Sequence, residues 1–148
     1  MTFSFLPTTT KEMHKKGWDS LDIILVTGDA YIDHPSFGAS LIGRYLESHG
    51  YKVGIIAQPD WNNIENFQVL GKPNLFFGVT AGNLDSLIAN YTSEKRKRKT
   101  DSYSENGTPG LRPDRASLVY CNCLKQCYPD SIIVLGGIEA SLRRLTHY

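Results

Sequence analysis

The sequence has no long hydrophobic run, few cysteines and almost no net charge, and each of these absences excludes a class of protein. No apolar stretch approaches the roughly 20 residues that span a bilayer, and the N-terminus lacks the apolar core of a signal peptide. Three cysteines, an odd number, do not suggest a disulfide framework. A net charge of +1 gives no general attraction to nucleic acid or to anionic membranes. We therefore expect a cytoplasmic protein that does not bind membranes.

Apolar segments of strand length alternate along the chain with segments of helical periodicity. The predicted strands are residues 21–27, 52–57, 74–79 and 131–135. The predicted helices are residues 35–49, 83–91, 113–128 and a stretch after Gly137. The first of these helices carries one apolar stripe, formed by Phe37, Leu41, Ile42, Tyr45 and Leu46. Continuous apolar strands are typical of parallel sheets covered on both faces. The sequence therefore predicts an α/β fold with a doubly wound, mainly parallel sheet of about four or five strands, flavodoxin-like or Rossmann-like.

The length of 148 residues is that of one domain with one hydrophobic core. We expect residues 1–20 to be an irregular lead-in and residues 21–148 to form the single α/β domain. Residues 92–112 interrupt the alternation because they are polar, basic and rich in glycine, proline and serine. This segment is expected to be a mobile excursion at the surface.

Polar and small residues follow every predicted strand, at the point where each strand ends. Ligands of doubly wound folds bind outside the carboxyl ends of the strands, so these residues are candidates for a ligand or partner surface. The candidates are Gly28, Asp29, Tyr31, Asp33, His34, Gln58, Asp60, Thr80, Asn83, Gly136, Gly137 and Glu139. We expect them to make polar contacts rather than to make or break bonds. Ordinary loop chemistry is the alternative, since the same residue types form turns and cap helices.

The two common nucleotide-binding motifs are absent from the sequence: neither G-x-G-x-x-G after the first strand nor a P-loop is present. The cysteines and the Asp33–His34 pair are the other candidates for chemistry. In the helix predicted at 113–128, Cys123 and Cys127 share a face, and Cys121 lies about 160° from Cys123. Cys123 and Cys127 belong to an apolar stripe of this helix, so we expect these two to be core residues and expect no metal site. Asp33 next to His34 is compatible with a metal ligand or an acid–base pair, but also with a local hydrogen bond at a helix start.

The chain contains one run of positive charge, formed by Lys95, Arg96, Lys97, Arg98 and Lys99. Such runs are found in solvated loops and in arms that face nucleic acid. Tyr91 and Tyr103 lie nearby in the sequence and could stack on bases, so RNA contact by charge and stacking is an alternative function.

Three long blocks resemble the N-terminal region of the YgiQ-type radical SAM proteins: "VTGDAYIDHPSFGASLIGRYLESHGYKVGIIAQPDW", "FFGVTAGNLDSLIANYT" and "YPDSIIVLGGIEASLRRLTHY". The resemblance covers about residues 5–148. It implies an accessory domain, not catalytic alone, of an enzyme that reduces S-adenosylmethionine to a 5′-deoxyadenosyl radical at a 4Fe-4S cluster. The strand-end candidates would then contribute to a substrate, cofactor or barrel-facing surface. The substrate, a small molecule or RNA, stays open.

The cluster motif of that family, C-x-x-x-C-x-x-C, is absent from this chain. Cys123 and Cys127 have its first spacing, but Asp130 occupies the third place. The resemblance implies that the cluster cysteines lie in a radical SAM barrel that follows in the same polypeptide and that this chain lacks. No cofactor is therefore expected to be bound to this chain itself, and the barrel is its expected partner.

A second likeness concerns cobalamin. The spacing from Pro35 onward is similar to the leading unit of the cobalamin-binding domains that precede many radical SAM barrels, with Gly38, Ile42, Leu46, Gly50 and Val53 in the matching places. The base-off motif D-x-H-x-x-G is displaced, because Asp33 and His34 are adjacent. Many radical SAM relatives bind cobalamin without that histidine, so a cobalamin-binding domain stays an alternative.

Overall fold

The computed structural model describes residues 4–145, so the outermost parts of the predicted lead-in and domain, residues 1–3 and 146–148, lie outside the described residues. The helices are α1 (Thr10–Lys15), α2 (Gly38–Ser48), α3 (Ser86–Asn90), α4 (Ala116–Cys127) and α5 (Ile138–Leu145). The strands are β1 (Ile23–Thr27), β2 (Val53–Ala57), β3 (Phe76–Thr80) and β4 (Ile133–Leu135). Short 3₁₀ turns occur at Ile64–Phe67 and Glu105–Gly107. The predicted elements are present and most of their ends are shortened by one to three residues, whereas β3 extends one residue beyond its predicted end.

The four strands form one parallel sheet in the order β2-β1-β3-β4. This confirms the predicted α/β fold with a flavodoxin-like or Rossmann-like sheet. The chain moves from β1 to one side to form β2 and then returns past β1 to form β3. The topological switch point therefore lies between β1 and β3, where Thr27 is paired with Thr80. Ligands of such sheets bind outside the carboxyl ends of these two strands.

One face of the sheet, here called the closed face, is covered over β1, β2 and β3, whereas Leu135 of β4 on the same face is 48% exposed. Helix α4 packs on it through Ala116, Tyr120 and Leu124, and the segment after β2 adds Phe67 and Leu70. The strands contribute every second side chain to this face, as the pleat of a strand requires. The strand residues buried there are Ile24, Val26, Ile56, Phe77 and Val79.

The opposite face, here called the open face, is covered over β1 and β2 but not over β4. Helix α2 approaches the sheet at Gly43, where an added Cβ would collide with the side chain of Leu6. Only Leu46 of the predicted stripe packs against this core. Three members of that stripe are about half exposed: Leu41, Ile42 and Tyr45. Helix α2 therefore packs on the sheet through the small residues Ser40 and Gly43 and through Leu46.

The predicted irregular lead-in contains helix α1, so that prediction was wrong for residues 10–15. Thr9 caps the helix in a capping box with Glu12, and Met13 is buried. The signal for this helix was present in the sequence as T-x-x-E. The lead-in also covers the outer edge of β2, since the Ile55 backbone N–H donates to the Pro7 carbonyl at 2.9 Å.

The segment 92–112 begins in an exposed turn and ends in the interior. Its first part reverses direction so that Tyr91 and Lys97 form an antiparallel bridge. Its later part contains Asp101 and Arg112, which are 4% and 1% exposed. The expectation of a surface excursion therefore does not hold for these two charged residues, which are buried because Arg112 forms ion pairs with both Asp101 and Asp29.

Candidate functional site

A cavity of about 440 Å³ opens on the open face at the carboxyl ends of β1 and β3. Its floor is apolar and includes Leu25, Phe76 and Val134. Gly78 of β3 also lies on this floor, where an added Cβ would collide with the side chain of Leu25. Its rim is polar or small and contains five of the candidates from the sequence: Asp29, Thr80, Asn83, Gly136 and Gly137. The structure thus brings these five together at the switch point.

Asp29 is the most connected residue of this rim. Its Oδ1 accepts from Arg112 Nη2 at 2.9 Å, and its Oδ2 accepts from the Asn83 backbone N–H at 2.8 Å. Arg112 also pairs with Asp101 at 3.2 Å and donates to the Ala81 carbonyl. Burial raises the pKa of Asp29, and the Arg112 charge offsets this only in part. The carboxylate is fully engaged within the protein, so its role is to fix the loops around the cavity.

Arg112 and Asp101 were missed by sequence reasoning. Both lie in a stretch whose composition indicates a solvated loop, and nothing in their spacing marks them as partners of a residue about 80 positions away. Gly28 gives an indirect signal, because a Cβ there would collide with the Ala81 backbone and with Arg112. The close approach of three chain segments requires glycine at this position.

Asn83 connects the loop after β3 to the start of helix α2. Its Oδ1 accepts from the Gly38 backbone N–H at 3.2 Å, and its Nδ2 donates to the Ser36 carbonyl at 2.8 Å. Because its own backbone N–H donates to Asp29, Asn83 joins three segments at the cavity rim. The side chain therefore positions the first turn of α2 over the cavity.

Thr80, Gly136 and Gly137 form the side of the rim that leads into helix α5. Gly137 has a φ of +91°, and a Cβ there would meet Thr80 Oγ1. Thr80 Oγ1 accepts from the Gly82 backbone N–H at 3.1 Å and keeps its own proton for another acceptor. A Cβ on Gly136 would meet nothing within 4 Å, so the backbone here borders open space.

Glu139 does not line the cavity but holds the surrounding helices together. It is 1% exposed, and its two carboxylate oxygens accept from the backbone N–H groups of Ser86 at 3.0 Å and Ser117 at 2.9 Å. Burial raises the pKa of Glu139, but these hydrogen bonds outweigh burial and lower it overall. The carboxylate therefore joins the first turns of α3, α4 and α5.

Tyr31 and Gln58 lie away from the cavity and make structural contacts. The Tyr31 hydroxyl accepts from the Leu6 backbone N–H at 3.0 Å. Gln58 Nε2 donates to the Gly28 carbonyl at 2.9 Å and to Ser104 Oγ at 2.7 Å. These contacts position the lead-in and the loop after β1.

Asp33, His34 and Asp60 also lie outside the cavity lining. Asp33 forms an ion pair with Arg44, whose hydrogen bond lowers the pKa of the Asp33 carboxyl. His34 is exposed, and its Nδ1 lies 2.7 Å from Ser36 Oγ. Asp60 is exposed and accepts from the Asn62 backbone N–H at 3.0 Å. The structure does not bring these three candidates to the cavity.

The contacts of Asp33 and His34 bear on whether this chain could bind cobalamin in its base-off form. Asp33 binds Arg44 rather than orienting His34, and His34 hydrogen-bonds locally at the start of a helix. A histidine that replaces the lower ligand of cobalt would have to point into the ligand cavity, and His34 does not line it. Asp33 and His34 therefore do not fit the base-off arrangement.

The thiols of helix α4 do not fit a four-iron cluster. Cys123 and Cys127 each direct the sulfur toward a backbone carbonyl oxygen, at 3.9 and 3.7 Å. Burial raises the pKa of both thiols, which disfavours the thiolate that binds iron. Within residues 4–145, no group of three or more His, Cys, Asp or Glu side chains is placed to hold a metal ion.

The basic run lies at a second surface, beside a cavity of about 530 Å³ whose lining includes Trp61, Tyr91, Lys97 and Arg98. All five basic side chains of the run are exposed. Arg98 Nε nevertheless donates to the carbonyl oxygens of Ile88 and Tyr91, so this residue also stabilises the turn.

None of the helices formed by residues 4–145 is long and apolar enough to cross a membrane.

Comparison with known proteins identifies the family. Residues 5–148 match the family model described as radical SAM N-terminal. UPF0313 proteins of Thermotoga petrophila and Thermotoga maritima are each 65% identical over 144 residues, which are 97% of this chain and 25% of those proteins. A UPF0313 protein of Vibrio cholerae is 60% identical over 147 residues, which are 99% of this chain and 19% of that protein. No solved structure matches the chain.

The chain thus spans about a fifth to a quarter of the length of these curated relatives. The family match extends over almost every residue, including the strand-end loops that form the cavity. It confirms the resemblance seen in the sequence blocks, and the chain belongs to the radical SAM N-terminal family.

Proposed function

We propose that this chain is the accessory N-terminal domain of a longer radical SAM iron–sulfur protein, and that its strand-end cavity binds a small molecule, substrate or cofactor, beside the catalytic barrel. The observation that carries this proposal is the cavity itself, which lies at the topological switch point between β1 and β3. Its volume of about 440 Å³ falls within the range of small-molecule sites. The family match supports the placement of this domain in such a protein.

The lining of the cavity suits binding and orientation rather than bond chemistry. The floor offers apolar surface from Leu25, Phe76 and Val134, while Thr80 offers a hydroxyl proton. Asp29 is the acid on the rim, and both of its oxygens already accept hydrogen bonds from the protein. In the full-length protein a 4Fe-4S cluster would supply the reductive cleavage of S-adenosylmethionine, with ligands outside this chain.

The first experiment tests the placement in a radical SAM protein. The full-length protein, reconstituted without oxygen, should hold about four iron atoms and, once reduced, should convert S-adenosylmethionine to 5′-deoxyadenosine and methionine. Cys123→Ala and Cys127→Ala serve as controls and should leave both readouts unchanged. Failure to cleave S-adenosylmethionine, or loss of iron in either control, contradicts the proposal.

The second experiment tests the cavity. Gly136→Leu adds a side chain to open space at the rim without meeting another atom at Cβ. Ser48→Leu places the same side chain on the exposed last residue of helix α2. Full-length protein is incubated with metabolites below about 1 kDa, a size that matches small-molecule cavities, and the retained compounds are identified by mass spectrometry. We expect a compound that the wild type and Ser48→Leu retain and Gly136→Leu loses. Identical profiles for all three would contradict a ligand in this cavity.

A second candidate function is RNA binding at the basic run. The observation that favours it is the position of Lys97 and Arg98 on the lining of a cavity that also contains Trp61. Positive charge beside an aromatic ring suits contacts to phosphates and bases. Replacement of Lys95, Arg96, Lys97 and Lys99 by serine should then weaken RNA binding and flatten its salt dependence. Unchanged affinity after this replacement would exclude the function.

A further inference from the structure

Strand β4 has an outer edge whose backbone groups face no other strand among residues 4–145. On the inner side, the Ile132 carbonyl accepts from the Phe77 N–H, and the Gly136 N–H donates to the Val79 carbonyl. Successive residues of a strand direct their backbone groups to opposite sides, so the N–H and C=O groups of Ile133 and Leu135 point outward. The sheet therefore ends at β4 with a set of strand-pairing groups in place.

The side chains around this edge are apolar rather than protective. Ile132, Val134 and Leu135 are 64%, 49% and 48% exposed. Proteins that leave a sheet edge in water usually place lysine, proline or a bulge there, and residues 132–135 contain none of these. The other edge of the sheet, at β2, is covered by the lead-in through the Pro7 carbonyl. The edge at β4 has the properties of a strand that is paired in the complete protein.

Helix α5 gives the direction in which the chain continues. Glu139 and Arg143 attach α5 to the first turns of α3 and α4, through Ser86, Ser117 and Asp85. Helix α4 lies on the closed face and connects β3 to β4, its neighbour on the outer side. Parallel connections are right-handed in nearly all proteins, so a second connection over the same face leads one strand further in the same direction. That position is the outer edge of β4.

We infer that a fifth parallel strand, supplied by the polypeptide that follows helix α5 in the full-length protein, pairs with the outer edge of β4. This inference rests on the proposed function, in which the chain is one domain of a protein four to five times as long, as the curated relatives are. The fifth strand pairs the outward backbone groups of β4 and places its own side chains beside the apolar side chains of β4. Val134 also lines the strand-end cavity. The fifth strand therefore stabilises one wall of that cavity.

Residue-resolved hydrogen exchange on the full-length protein tests this strand. The amides of Ile133 and Leu135 should exchange about 100-fold or more slowly than the amide of the exposed Glu94, and similarly to that of Val134, which faces β3. Exchange of both amides at the rate of Glu94 overturns the inference. Protection that disappears when the protein is diluted also overturns it, because the partner is then a second copy of the protein.

A pair of variants at one position gives an independent test. Leu135→Pro removes the outward N–H and leaves the hydrogen bonds to β3 intact, whereas Leu135→Thr keeps the N–H and has high strand propensity. In the full-length protein, Leu135→Pro should lower the Tm by several degrees relative to Leu135→Thr, and equal Tm values overturn the inference. Iron content and S-adenosylmethionine cleavage, measured on the same wild-type sample, report separately on the proposed function.

Discussion

The two faces of the sheet differ in burial although their strands are similarly apolar. Val79 of β3 points to the closed face and is 2% exposed, whereas Val134 of the neighbouring β4 points to the open face and is 49% exposed. The closed face is covered because the connections after β2 and after β3 both pass over it. On the open face, the core under helix α2 and the lead-in is formed by residues of β1 and β2 with Phe76 of β3, and it contains no residue of β4. Chain topology, and not hydropathy, therefore decides which half of this sheet is left for another part of the protein.

The largest effect is expected at the buried charges of Arg112, Asp29 and Asp101, which hold the loops at the cavity rim. Arg112→Met leaves the buried carboxylates of Asp29 and Asp101 without their cation, and breaking such a group costs about 3–5 kcal/mol. Arg96→Met, at an arginine whose side chain is 81% exposed, should change stability by less than about 0.5 kcal/mol. Urea unfolding of the chain measures both. Similar losses of unfolding free energy in the two variants would show that the ion pairs of Arg112 with Asp29 and Asp101 do not stabilise the loops.

Helix α5 should depend on the ionised form of Glu139. Glu139→Gln replaces one of two accepting oxygens by a donor, and the loss of one charge-assisted hydrogen bond costs about 2 kcal/mol. The folded-state pKa of Glu139 lies below its usual value of 4.5, so its contribution is complete above that pH and is lost as the pH falls through the folded-state pKa. Unfolding free energies between pH 7 and pH 3 should decline less steeply for the variant. Parallel pH profiles would contradict this role.

A matched pair of valines compares the two faces directly. Val79→Ala should destabilise the chain by about 2 kcal/mol, because it removes two buried methyl groups and leaves a cavity. Val134→Ala should cost less than about 0.5 kcal/mol in this chain, because the side chain is half exposed. In the full-length protein the cost of Val134→Ala should rise toward that of Val79→Ala. An unchanged, small cost there would show that the open face stays uncovered.

The smallest effect is expected at the basic run. Replacing Lys95, Lys97 and Lys99 by serine should change the unfolding free energy by less than about 0.5 kcal/mol, since these side chains are exposed. Arg98→Ser should cost more, because Arg98 Nε donates to two carbonyl oxygens of the turn. Thermal unfolding of the two variants would contradict this ranking if the triple serine variant were the less stable.

The order and type of the main elements could be predicted from the sequence because each strand is a continuous apolar run with helical periodicity between strands. The packing of helix α2 could not be predicted in the same way. Its apolar stripe at Leu41, Ile42 and Tyr45 indicates a buried face, but the helix packs through Gly43. A stripe shows which side chains avoid water and does not show which part of the protein covers them.

The site was predictable to the extent that it follows from topology. Asp29, Thr80, Asn83, Gly136 and Gly137 meet because the carboxyl ends of parallel strands share an edge. The partnership of Asp29 with Arg112 could not be predicted, since it joins residues 83 positions apart through a segment of loop composition. Asp33 and His34 also follow β1 but do not line the cavity, because Asp33 binds Arg44 and His34 binds Ser36.

Hydroxyl-radical labelling of this chain and of the full-length protein tests the central claim most directly, because it measures the exposure of each side chain. Leu118 is the control, since it is 55% exposed and belongs to helix α4, which packs on the closed face. We predict that labelling of Tyr45, Ile132 and Val134 is much weaker in the full-length protein and that labelling of Leu118 is the same in both. Equal labelling of Tyr45, Ile132 and Val134 in the two proteins would contradict the claim that the rest of the protein packs on the open face of the sheet and on helix α2.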